Sequence, residues 1–128
     1  MKKIIATDKA PAAIGPYSQG IAVGDLLFTS GQIPLDPATG EMVGTTIEEQ
    51  AHQVFKNLGA ILCQGGSDLD SIIKTTCFIK NMGDFAKVNS IYAEYLTDGT
   101  YPARSAIEVS ELPKGALVEI EAVALIKK

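Results

Sequence analysis

With 128 residues, 46% of them hydrophobic and 20% charged, the chain is sized for one folded domain, too small for two independent cores and too apolar to be disordered. Its formal net charge of -4 repels polyanions, and its lysines are scattered singly or in pairs, so no nucleic-acid surface is expected. No apolar run reaches the roughly 18 residues of a membrane helix, and MKKII passes at once into Thr7, Asp8 and Lys9, which argues against a signal peptide or anchor.

After a short extended start, PAAIGPYSQG (11–20) carries two prolines and two glycines and reads as a fixed loop. IAVGDLLFTSGQIPL (21–35) reads as two strands joined at Gly24-Asp25, and DPATGE (36–41) as a turn. From Thr45 the period becomes helical. Two overlapping capping-box patterns, Thr45/Glu48 and Thr46/Glu49, precede Ile47, Ala51, Val54, Phe55, Leu58, Ile61 and Leu62, which recur at helical spacing until Gly65-Gly66. The β-branched run SIIKTTCFIK (71–80) predicts a strand. Phe85, Val88, Ile91, Tyr92, Tyr95 and Leu96 then form the core-facing stripe of a second helix closed by Gly99. Two further strands, about 103–109 and 116–126, flank the turn SELPKG. The order β-β-α-β-α-β-β suits a single α+β domain over residues 1–128, two helices covering one face of a mixed sheet.

Strand side chains alternate, so parity sorts the last two strands. Val118, Ile120, Ala122, Ala124 and Ile126 share an apolar face assigned to the helices; Leu117, Glu119, Glu121, Val123 and Leu125 share the other. In the preceding strand Ile107 and Val109 are assigned to the core, which sends Arg104, Ala106 and Glu108 to the second face. Left in water, that face would be a broad, partly apolar patch, so subunits are expected to meet across it, with Arg104 and the glutamates near the interface. On pattern alone the commoner role for Arg104 is a salt bridge to Glu119 or Glu121, and parity does not choose between those glutamates.

Cys63 and Cys77 lack CxxC spacing and a histidine close in sequence, so they are expected as small core hydrophobes of a reduced, cytoplasmic protein without metal or cofactor. His52, between Ala51 and Gln53, is expected as a solvated surface residue. GPYSQG has no helix-opening lysine, so no nucleotide site is assigned.

YPARSAIEVSELPKGALVEIEAVA (101–124) resembles the Rid family of reactive intermediate deaminases, also called YjgF or L-PSP proteins, and is most similar to its RidA subgroup. APAAIGPYSQG (10–20), TSGQIP (29–34) and KTTCFIKNM (74–82) resemble further family blocks in the expected order, so the resemblance spans essentially the whole chain. It implies a chorismate-mutase-like fold, a homotrimer with sheets lining a central barrel, and sites in the clefts between subunits. The implied reaction is hydrolysis of a 2-imino acid, or its enamine tautomer 2-aminoacrylate, to a 2-oxo acid and ammonia, a hydrolase reaction on a C–N bond other than a peptide bond. Arg104 would hold the substrate carboxylate, a task suited to a planar guanidinium with parallel donors. Glu119 matches the family position that orients and partly deprotonates the attacking water.

By the same resemblance Tyr17 would close over the ligand, and Ser30 and Gly31 would line the pocket. On residues alone Tyr17 is equally a ring capping the core, and Ser30-Gly31 a strand bulge. Ala106 departs from the cysteine of many relatives, but the implied contact there, from a backbone carbonyl to the substrate nitrogen, needs no side chain. Two other functions stay in view: a regulatory protein that binds 2-oxo acids or amino acids, which would need Arg104 but not Glu119, and an endoribonuclease, which the acidic composition disfavours.

Overall fold

The computed structural model describes residues 1–96 and 99–127. Along the chain run β1 (Lys3–Ile5), β2 (Gly20–Val23), β3 (Leu26–Thr29), α1 (Ile47–Gln64), β4 (Ile72–Ile79), α2 (Phe85–Tyr95), β5 (Ala103–Glu108) and β6 (Val118–Leu125). The strands form one mixed sheet in the order β1-β2-β3-β6-β4-β5, with β4 and β5 parallel and the other neighbours antiparallel. The expected α+β order is present, and the extended start adds a sixth strand by pairing with β2.

Local chemistry sets the boundaries. Gly24 takes φ 58, the left-handed conformation that a two-residue hairpin loop requires and glycine adopts without strain. Of the two capping-box candidates, Thr46/Glu49 is the one formed: the Thr46 hydroxyl accepts from the Glu49 N–H, and the Glu49 carboxylate accepts from the Thr46 N–H. Gly65-Gly66 ends α1 as expected, with Gly66 at φ 83. The second helix stops earlier than Gly99: Tyr95 is its last residue, and Leu96 closes it through its N–H to the Tyr92 carbonyl. Residues 97 and 98, between that cap and Gly99, lie outside the described residues.

The predicted α1 stripe is the buried one, and Phe55, Leu58 and Leu62 are fully enclosed against Leu27, Val118, Ile120 and Ala124 of the sheet. Burying each such side chain contributes roughly 2 kcal/mol. Among the described residues no helix is long and apolar enough to cross a membrane, and no cluster of three or more histidine, cysteine or acidic side chains could hold a metal.

Parity holds for β6 and fails for β5. Val118, Ile120, Ala122 and Ala124 are buried under the helices, while Glu119, Glu121, Val123 and Leu125 lie on the open face. In β5, however, Arg104 pairs with the buried Thr75 and Ala106 with the buried Cys77. Residues directly opposite in a ladder point to the same side, so Arg104, Ala106 and Glu108 face the helices, and Ile107, 47% exposed, lies on the open face. Assigning Ile107 and Val109 to the core by size shifts the strand by one residue, which reverses every side chain. β5 is an edge strand with no large apolar residue on its helix side, and Ala106 alone packs against the core there.

Two smaller expectations also change. Cys77 is buried, but Cys63 is exposed on the last turn of α1. His52 is half-buried rather than freely solvated, its Nδ1 2.9 Å from the Tyr95 hydroxyl and its ring edge-on to that tyrosine.

Candidate functional site

The residues singled out in the sequence fall into two groups on opposite faces of the sheet. The first surrounds Glu119. From β3 to β6 the ladder runs Leu27 to Ala124 and Phe28 to Val123, and resumes as Gln32 to Ile120. Four steps along one strand thus match three on the other, so the Thr29–Gln32 stretch carries one residue more than its partner, a bulge. The Thr29 hydroxyl takes over as acceptor for the Ala122 N–H at 3.0 Å. The bulge is what presents Ser30 and Gly31 to the cavity.

Gly31 sits directly beneath the Glu119 carboxylate, in a space that a β-carbon would fill. The Ser30 hydroxyl donates to the Ser18 carbonyl at 2.6 Å, and the Ser30 N–H donates to the Gln19 carbonyl at 2.9 Å, tying the bulge to the 11–20 loop. Gln19, 4% exposed, holds that loop from inside: its amide donates to the carbonyls of Thr7, Ala10 and Pro11 and accepts from the Thr7 N–H. Tyr17 rides on this braced loop after Gly15 (φ 110), its ring half-exposed at the cavity wall. Tyr17, Ser30, Gly31 and Glu119 therefore line one cavity of about 460 Å³, with Ile33 and Lys114.

Glu119 is only partly exposed, and its carboxyl is raised above the ordinary glutamate range, first by burial and then by the charge of Glu121 two residues along the same face. Raised affinity for a proton suits a group that takes one from water and returns it.

The second group surrounds Arg104 on the helix side of β5. Its guanidinium lies between two aromatic rings of α2, its central carbon 5.1 Å from the Phe85 ring centre and 4.9 Å from that of Tyr92. Nη1 donates to Asn89 Oδ1 at 2.6 Å. Arg104, Asn89, Tyr92 and Tyr101 line a cavity of about 410 Å³. The salt bridge to Glu119 or Glu121, the rival role that pattern alone offers Arg104, is not formed, because those glutamates point to the other face. Ala106 sits two residues further along β5. The Val109 N–H bonds inward to the Ile79 carbonyl, so by alternation the Ala106 N–H and C=O point to the open edge of the sheet.

The structure thus brings Tyr17, Ser30, Gly31 and Glu119 together and keeps Arg104 and Ala106 apart from them. Two participants escaped the sequence reading. Asn89 is a polar residue within the α2 stripe, four after Phe85 and three before Tyr92, a spacing that places it on their face. Lys114 adopts φ 58, unusual for a residue with a side chain, and sets its ammonium 3.3 Å from the Gly40 carbonyl at the mouth of the Glu119 cavity.

The family model described as Endoribonuclease L-PSP matches residues 7–126. The chain belongs to the Rid (YjgF/L-PSP) family. This Rid protein is 57% identical to AldR of Lactococcus lactis subsp. lactis, named as a candidate regulator, over 98% of both chains. It is 48% identical to the mouse 2-iminobutanoate/2-iminopropanoate deaminase, over 98% of this chain and 92% of the mouse protein. Among solved structures, the Rid-family protein YyfA of Yersinia pestis superposes with a TM-score of 0.96 at 52% identity, covering 98% of this chain and 100% of its own. Escherichia coli TdcF, solved with bound serine, superposes with a TM-score of 0.93 at 44% identity, covering 98% and 99%.

Proposed function

We propose that this Rid protein hydrolyses 2-imino acids such as 2-iminobutanoate and 2-iminopropanoate, the latter reached from 2-aminoacrylate, to 2-oxo acids and ammonia, in a site assembled from two copies of the chain. The observation that carries the reading is the Glu119 carboxylate held over Gly31 in a half-closed cavity, with its proton affinity raised. The mouse relative's name supports the reaction.

The chemistry follows from these groups. Arg104 would hold the substrate carboxylate through a two-donor fork. Water in the Glu119 cavity attacks the imine carbon as the carboxylate accepts a proton from it; a C–O bond forms and the C=N π bond gives its electrons to nitrogen. That proton passes on to the nitrogen, giving a carbinolamine; its hydroxyl proton then moves to the amino nitrogen through the Glu119 carboxylate as the C=O bond forms and the C–N bond breaks, and ammonia leaves with the 2-oxo acid. The Ala106 carbonyl at the open edge is available to an N–H of the substrate.

One chain holds Arg104 and Glu119 on opposite faces, so a site using both needs a neighbouring copy. The open face supplies a reason to associate: Phe28, Ile107 and Leu125 are each more than two-fifths exposed there. A homotrimer with three such sites is the proposed assembly, in a cytoplasmic setting. The test couples a threonine dehydratase, which releases the imino acid in situ, to semicarbazide trapping. The wild type should suppress the trapped species and Arg104→Ala should not; equal trapping with and without the wild type would defeat the reading.

A regulatory role through binding of amino or 2-oxo acids is the second reading, favoured by the name of AldR and by the serine bound to TdcF. Full cellular function of a Glu119→Gln variant that keeps ligand affinity would favour it. An endoribonuclease, the family model's own description, would have to approach RNA against a net charge of -4. RNA cleavage by contaminant-free protein, abolished by Arg104→Ala, would support that function.

A further inference from the structure

We propose that Phe85, Tyr92 and Thr75 are positioning residues that fix the plane of the Arg104 guanidinium, so that α2 sets the affinity for a ligand's carboxylate. The inference rests on the imino-acid reading for its ligand class. Phe85, Asn89 and Tyr92 occur at i, i+4 and i+7, one face of the helix. Both rings lie within the roughly 6 Å over which a cation is attracted to an aromatic face, at 5.1 and 4.9 Å, and Asn89 accepts one guanidinium donor at 2.6 Å.

The platform is itself locked. The Tyr92 hydroxyl lies 2.8 Å from that of Thr75, which is fully buried, and the Tyr92 ring stands edge-on to Phe55 at 5.7 Å and 81°. Thr75 is also the residue opposite Arg104 in the β4–β5 register. The strand pair that carries the arginine therefore carries the group that anchors its aromatic platform. A guanidinium has five N–H donors; one is spent on Asn89, and a carboxylate fork can be drawn from the rest. An arginine fixed in this way loses less rotamer freedom when it binds than one waving in solvent.

The experiment compares wild type, Phe85→Leu, Tyr92→Leu, Tyr92→Phe and Thr75→Val. It measures KM and kcat with dehydratase-generated 2-iminobutanoate, and calorimetric Kd for 2-oxobutanoate and for its amide. The leucine variants should raise KM and the oxo-acid Kd by roughly 2- to 30-fold, the span of cation–π strengths. Their kcat should change by less than about twofold, and their Kd for the amide should stay put. Tyr92→Phe keeps the ring but loses its anchor on Thr75, so it should show an intermediate rise in the oxo-acid Kd, smaller than that of Tyr92→Leu, and Thr75→Val should show the same intermediate rise. A structural role alone would weaken acid and amide together, and that result overturns the proposal, as does an unchanged oxo-acid Kd in folded leucine variants. Phe85 is only partly buried at the first turn of α2, so its variant decides the matter if Tyr92→Leu does not fold. A wild type that binds 2-oxobutanoate selectively but hydrolyses no imine removes the deaminase reading and leaves the cradle standing. A wild type that binds no carboxylate overturns the cradle.

Discussion

The Glu119 carboxylate occupies the space in which a side chain on Gly31 would begin, with its carboxyl carbon 2.8 Å from the ideal β-carbon position. A methyl group there forces a movement, and the atoms in its way are the far end of a flexible side chain rather than backbone. Gly31→Ala should therefore leave the fold nearly intact and displace the carboxylate. Imine hydrolysis should fall about 10- to 100-fold, as displacements of about 1 Å produce in positioned catalytic groups, with a Tm close to wild type. Normal kinetics in a folded Gly31→Ala protein would remove Glu119 from the mechanism.

Glu121 is coupled to the same group through charge. Burial raises the Glu119 carboxyl most, and the Glu121 carboxylate raises it further. If ionised Glu119 takes the proton from water, activity rises with pH as Glu119 ionises, and the acidic limb of kcat/KM lies above the ordinary glutamate value of about 4.3. Glu121→Gln removes the repulsion and should move that limb to lower pH without abolishing activity. A limb unmoved in Glu121→Gln would assign the titration to another group.

The same shift has a sign for stability. A carboxyl whose affinity for protons is higher in the folded state binds more protons folded than unfolded, so stability falls as pH rises from the ordinary glutamate value through the raised one. At neutral pH the ionised Glu119 opposes folding. Glu119→Gln should be inactive yet more stable than wild type at pH 7, by about 2 °C in Tm if roughly half a kcal/mol is recovered. The gap should close on acidification to below both values. A Glu119→Gln protein less stable than wild type at pH 7 would contradict this account of the cavity.

Much of this arrangement is legible in the residues because local rules and burial agree. The capping box at Thr46, the apolar stripe of α1, the Gly24-Asp25 hairpin and the alternation of β6 each state one answer, and the fold adopts it. β5 is where they part. Ile107 has the size of a core residue but lies on the open face, and the column facing the helices is filled by Ala106 and the stem of Arg104. An edge strand paired on one side has weak demands on its own pattern; its register comes from Thr75 and Cys77 of β4, a tertiary fact. The parting of Arg104 from Glu119 follows from that register. Asn89 and Lys114 were missed for a related reason: the meaning of each lies in a neighbour distant in sequence, Arg104 for the one and Gly40 for the other.

The two cysteines give a prediction independent of the reaction. Cys77 faces the helices opposite Ala106, 1% exposed, and burial pushes its thiol up to about 11, so the reactive thiolate is scarce at neutral pH and has no path to a reagent. Cys63 is exposed at the end of α1 and lines neither the Glu119 nor the Arg104 cavity. Native protein should therefore take up one equivalent of a thiol reagent per chain, Cys63→Ser should take up none, and denaturant should release the second. Imine hydrolysis should survive labelling at Cys63 unchanged, because neither thiol contributes to the proposed chemistry. Loss of activity that tracks the first equivalent would place Cys63 at a subunit contact on which the shared site depends; loss that tracks the second would mean that the sheet under Arg104 opens in the native protein.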